Sequence, residues 1–129
     1  MSAGDLVTRA RAAMANAHAP YSRFRVGAAI EATDGNTYVG CNVESASYGL
    51  TICAERMAIG AMVAGGGKGI ERLVVTTEVD PPAAPCGACR QLLAEFGLDF
   101  EVLAVGPKRE RRWTLRALLP DAFTRESLA

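Results

Sequence analysis

Histidine is nearly absent from the sequence: His18 is the only one in 129 residues. That scarcity excludes a histidine-rich metal centre, and any Ser-His or Cys-His nucleophilic pair would have to use this single residue. An excess of charge is missing too, because 14 basic residues stand against 14 acidic ones. Nucleic acid and anionic membrane surfaces both demand a basic face, so neither is expected as the main partner. No uninterrupted apolar run approaches the roughly 20 residues of a membrane span. The start, Met1-Ser2-Ala3-Gly4-Asp5, lacks the basic residues and apolar stretch of a signal peptide. The expectation is a soluble, cytoplasmic chain.

Apolar residues make up 50% of the sequence, enough for a core without disulfide staples. The length suits one domain over residues 1–129. The cysteines are Cys41, Cys53, Cys86 and Cys89. In a reducing compartment they read as thiols or metal ligands rather than disulfides.

From Asp5 to Ala19 apolar residues recur at helical spacing, with Asp5 as the expected N-cap, Pro20 as the stop and His18 near the last carbonyls. Val26 to Thr33 and Thr37 to Val43 read as strands flanking the turn Asp34-Gly35-Asn36. A loop from Glu44 to Thr51 leads into a helix over 52–64, capped by Thr51 and ended by Gly65-Gly66-Gly67. A buried strand over 70–77, a Pro-rich turn over 80–85, a helix over 86–96 and a strand over 100–105 follow. The tail holds a charged turn at Lys108 to Arg112, a short strand near Trp113 and an amphipathic piece at Leu115 to Leu119. Strands alternating with helices predict an α/β three-layer α-β-α sandwich around a mixed sheet.

Two segments carry chemistry: Cys53-Ala54-Glu55 at one helix start and Pro85-Cys86-Gly87-Ala88-Cys89 at another. Cys86 and Cys89 lie three apart and so share a helical face. Unsatisfied N–H groups and the dipole of a first helical turn favour thiolate. If the two helix starts meet above the sheet, three thiolates converge, which is the ligand count of a catalytic zinc site with one position left open. Glu55 is then placed to receive a proton from water at that position, and Arg56 to donate to the ligand sulfurs. A Cys-x-Glu followed by Pro-Cys-x-x-Cys matches the zinc deaminase pattern. Cys41, in a strand-like run, reads as a buried small hydrophobe.

Four blocks in order extend the match. They are Ala19-Pro20-Tyr21-Ser22-Arg23-Phe24-Arg25-Val26-Gly27-Ala28; Gly40-Cys41-Asn42-Val43-Glu44 with Tyr48 and Cys53-Ala54-Glu55-Arg56; Pro85-Cys86-Gly87-Ala88-Cys89-Arg90-Gln91; and Leu118-Leu119-Pro120-Asp121-Ala122-Phe123. In these the chain resembles the small homotetrameric cytidine deaminases along nearly its whole length. The resemblance implies an αββαβαβ order, one zinc ion per subunit on Cys53, Cys86 and Cys89, and Glu55 as proton shuttle. It implies that Asn42 and Glu44 hold ribose hydroxyls, the 3′-OH above all, and that Phe24 flanks the pyrimidine. Ala54 would offer its backbone N–H to the base, while Ala46, Tyr48 and Phe123 would reach an adjacent subunit's site. The expected reaction is hydrolytic deamination of cytidine and 2′-deoxycytidine in pyrimidine salvage.

Rival readings are a deaminase of another aminopyrimidine nucleoside such as blasticidin S, a polynucleotide-editing deaminase, and a non-catalytic zinc-stabilised binding module. The first is disfavoured by Asn42-Val43-Glu44 and Phe24. The second needs a basic groove, whereas the one basic cluster, Lys108 to Arg112, is interrupted by Glu110 and reads as a solvated turn. The third has no use for Glu55.

Overall fold

The structure, a computed structural model, describes residues 2–128. Its elements in order are α1 (Ala3–Met14), β1 (Val26–Ala32), β2 (Thr37–Cys41), α2 (Ala54–Ala64), β3 (Ile70–Thr77), α3 (Gly87–Leu93), β4 (Glu101–Val105), β5 (Glu110–Thr114) and α4 (Leu115–Leu118). The expected αββαβαβ order is present, followed by an edge strand and one short helix. The five strands lie in the order β2-β1-β3-β4-β5. Only β3 and β4 run parallel; the other pairs are antiparallel, so the sheet is mixed.

The central strands are apolar on both faces because both faces are covered. On one face Leu6 and Ala10 of α1 pack against Ala29, Val74 and Leu103. On the other, Ala58 and Met62 of α2 and Leu93 of α3 join Ala28, Ile30, Leu73, Val75 and Val102. This is the expected three-layer sandwich. Two glycines let helices come close to the sheet. A Cβ on Gly27 would stand 2.0 Å from the Ala10 carbonyl oxygen of α1, and one on Gly40 would stand 2.5 Å from the Ala58 nitrogen of α2.

Several local expectations are corrected. Asp5 is not the N-cap of α1. Ser2 caps the helix, and Asp5 closes the reciprocal capping box by accepting from the Ser2 N–H. The helix stops at Met14 rather than Ala19, and the segment beyond it joins the β-structure. His18 lies beyond the helix in a β-bridge, its N–H donating to the Asn42 carbonyl and its carbonyl accepting from the Glu44 N–H. Thr51 is not the cap of α2; Cys53 occupies that position. Cys41 is half-buried rather than buried. The basic cluster is only partly a turn, since Glu110, Arg111 and Arg112 belong to β5. There Arg112 pairs with Glu101 and Glu110, and Arg111 lies over the Trp113 ring. No helix among the described residues is long and apolar enough to cross a membrane.

Because the Gly27 site is bounded by backbone, Gly27→Ala cannot be absorbed by a rotamer change. We expect it to lower stability by about 3 kcal/mol, the upper range for overpacking. A urea midpoint matching that of the parent protein would contradict this.

Candidate active site

The antiparallel pairing of Val26 with Thr77 puts the start of β1 beside the end of β3. Both residues line a cavity of about 320 Å³ at this end of the sheet, and the N-termini of α2 and α3 point into it. Cys53 is the N-cap of α2 and Cys86 the N-cap of α3, with Cys89 in the first turn of α3. Their three Sγ atoms lie within 4.8 Å of one another. That spacing, in a set of soft ligands and with no fourth protein donor in the group, fits a tetrahedral zinc site that keeps one position for a small molecule. Zinc is the cofactor of this chain. Cys41 stands apart from the cluster, on β2.

Burial pushes the Cys53 and Cys89 thiols up. For Cys86 burial acts in the same direction but is outweighed by hydrogen bonds from the Cys89 backbone and from the neighbouring thiols, and the group is held below the ordinary range. Glu55 follows Cys53 by two residues, in the first turn of α2. It is 5% exposed, and burial raises its carboxyl. Ala54 and Glu55 line the cavity together with Cys53 and Cys86.

Phe24, Asn42 and Glu44 line the same cavity. The Asn42 side chain clamps the start of β1: its Oδ1 accepts from the Val26 N–H, and its Nδ2 donates to the Phe24 carbonyl, both at 2.8 Å. Asn42 therefore pairs with backbone and also faces the cavity, with one N–H and one lone pair to spare. Glu44 accepts from the N–H groups of Tyr21 and Ser22 and from the Ser22 hydroxyl, contacts that hold its carboxyl below the usual range.

Three of the expected residues do not line this cavity. Ala46, Tyr48 and Phe123 are exposed, and Tyr48 instead sits edge-on to Tyr21 at the outer side of Glu44. Arg56 donates through Nη2 to the Thr51 carbonyl at 3.0 Å, and its buried Nε has no partner.

Two residues without an assigned role prove structural to the site. Arg90 donates from Nε to the Pro85 carbonyl and from Nη1 to the Leu118 carbonyl, bracing the loop before Cys86 against the end of α4. Ser22 links Glu44 to the Phe24 N–H. Both stand inside the sequence blocks quoted above, and that position was the only signal available for them.

The geometry and the relatives agree. A family model described as "Cytidine and deoxycytidylate deaminase zinc-binding region" matches residues 2–105. The cytidine deaminase of Sporosarcina psychrophila is 40% identical, across 100% of this chain and 96% of its own. That of Mycobacterium tuberculosis is 47% identical, across 90% and 85%. Among solved structures, the cytidine deaminase of Burkholderia pseudomallei superposes with a TM-score of 0.91 at 44% identity, covering 95% of this chain and 100% of that one. The chain belongs to the zinc-dependent cytidine and deoxycytidylate deaminase family.

The zinc assignment makes a clear distinction among the four cysteines. Replacing Cys53, Cys86 or Cys89 by Ser should drop zinc content from about one ion per chain to well below half. Cys41→Ser should leave it unchanged, with the metal measured by plasma mass spectrometry after dialysis.

Proposed function

We propose that this chain, as one catalytic domain over residues 1–129, hydrolyses cytidine and 2′-deoxycytidine to the corresponding uridines and ammonia. The observation that carries the reading is one cavity lined by Cys53 and Cys86 of the thiol cluster, the buried Glu55, Phe24, Asn42 and Glu44. Held by Cys53, Cys86 and Cys89, zinc supplies a water acidic enough to attack near neutral pH.

The residues of the chain divide the remaining work. Glu55 takes the proton of the attacking water and delivers it to N3 of the base, which makes C4 electrophilic. It then takes the proton of the hydroxyl added at C4 and passes it to the amino group, which leaves as ammonia while the C4 carbonyl forms. Ala54 offers its N–H to the base, since a first-turn N–H has no acceptor inside the helix. Phe24 flanks the ring, and Asn42 and Glu44 take the 3′-hydroxyl with their remaining hydrogen-bonding capacity. Arg56 tunes the ligand sulfurs; its buried Nε has an unspent N–H, and a thiolate is an acceptor that α2 brings near.

The working assembly is a homotetramer with shared sites. Ala46, Tyr48 and Phe123 then reach a neighbouring subunit's cavity, which accords with their exposure here. Support also comes from an apolar recess on the outer face of α2 and β2, where Val39, Ile52 and Met57 are exposed. Reduced thiols at the metal site suit a cytoplasmic enzyme, and the conversion suits pyrimidine salvage.

Two experiments test this reading. Glu55→Gln should keep its zinc while kcat for ammonia release from cytidine falls by about 10²–10⁴-fold or more; near-normal turnover would remove Glu55 from its role. Phe123→Ala should be weakly active, and mixing it with Glu55→Gln subunits should restore turnover, since a Glu55→Gln subunit can lend its Phe123 to a site with an intact Glu55. No gain on subunit exchange would argue against shared sites.

A further inference from the structure

The Glu44 carboxylate is gripped by a turn to which the catalytic scheme gives no part. Its Oε1 accepts from the Tyr21 N–H at 3.0 Å and the Ser22 N–H at 3.1 Å, and its Oε2 accepts from the Ser22 hydroxyl. A carboxylate has about four acceptor positions. Both on Oε1 are taken, so Oε2 keeps the only one left. The same Ser22 oxygen accepts the Phe24 N–H at 3.0 Å. Ser22, Phe24 and Glu44 all line the cavity.

The two backbone donors would hold Oε1 whatever side chain stood at position 22. Rotation about the last bond of a glutamate is broad, and the Ser22 hydroxyl is the contact that fixes Oε2. We infer that Ser22 is a positioning residue for sugar recognition: its hydroxyl aims the remaining Oε2 acceptor at one sugar hydroxyl and ties that grip to the turn that presents Phe24. This rests on the reading of Glu44 as the contact to the 3′-hydroxyl. With one acceptor position on offer, Glu44 takes one hydroxyl and not an adjacent pair. The depressed carboxyl of Glu44 agrees with an anion that is already well bound before substrate arrives.

The test is a cycle of variants against sugars, using zinc-loaded full-length protein. Ser22→Ala should raise KM for cytidine by about tenfold, the scale of a hydrogen bond to a charged group. Its kcat, zinc content and melting temperature should stay near those of the parent. Ser22→Thr, which keeps a hydroxyl, should recover most of the loss. With 3′-deoxycytidine, which has no hydroxyl to aim at, Ser22→Ala should raise KM far less than with cytidine, the remainder coming from the freed Phe24 N–H. An equal rise in KM with both nucleosides would show a general support of the cavity and overturn the inference.

Glu44→Gln separates the two levels of the argument. If it weakens cytidine and spares 3′-deoxycytidine, the sugar contact stands, and an unaltered KM in Ser22→Ala then sinks the Ser22 role alone. If Glu44→Gln treats the two nucleosides alike, the sugar contact and the Ser22 role fall together.

Discussion

Two helix N-termini from well-separated parts of the chain must meet over one end of the sheet, and most of the architecture can be understood from that requirement. Three thiols packed within 4.8 Å are a poor arrangement on their own, because burial opposes their ionisation and thiolates repel one another. A divalent cation and the N–H groups of two first turns supply the compensation. The helices must therefore be held rigidly and close. Gly40 lets α2 lie against β2. Ala54 and Ala58, both fully buried, keep the same helix near β1. Arg90 fixes the loop before Cys86 by reaching two carbonyls, one of them in the C-terminal part of the chain.

A second rule governs Asn42 and Glu44 in the cavity lining: both are already committed to backbone before they meet a ligand. Asn42 spends one donor and one acceptor on β1, and Glu44 spends three acceptor positions on the turn at Tyr21 and Ser22. Groups held in this way lose little further freedom on binding, which is the energetic advantage of preorganisation. It also narrows recognition, since only the unspent valences remain for a ligand. The clamp that Asn42 makes on β1 is also what aims its free N–H.

How much of this was legible in the sequence depends on the range of the interaction. β3 spans the expected 70–77 around its apolar centre Leu73-Val74-Val75, and the hairpin at Asp34-Gly35 is a local turn signal. The three cysteine positions and Glu55 are legible because a short motif fixes them relative to their own helices. The errors arise where two local signals compete or where the partner is distant. Ser2 and Asp5 are both good caps, and the three-residue spacing that makes them a capping box would have resolved the choice. His18 leaves α1 because Asn42 and Glu44 offer it backbone partners, which no local pattern announces. The same holds for Ser22, whose acceptor lies 22 residues away.

Arg56 also shows how chemistry and assembly come to share one helix. Its neighbour Glu55 faces the cavity, whereas Arg56, Met57, Gly60 and Ala61 line the recess on the outer side of α2. A buried donor without an acceptor costs about 1–3 kcal/mol, so the Nε of Arg56 is tolerated only if something outside the isolated, metal-free chain satisfies it. In the proposed tetramer a neighbouring subunit covers the recess and removes the remaining water around the guanidinium, which strengthens whatever charge pair it makes. The first turn of α2 thus serves two surfaces at once: Cys53 and Glu55 line the cavity, while Arg56 and Met57 line the recess behind it.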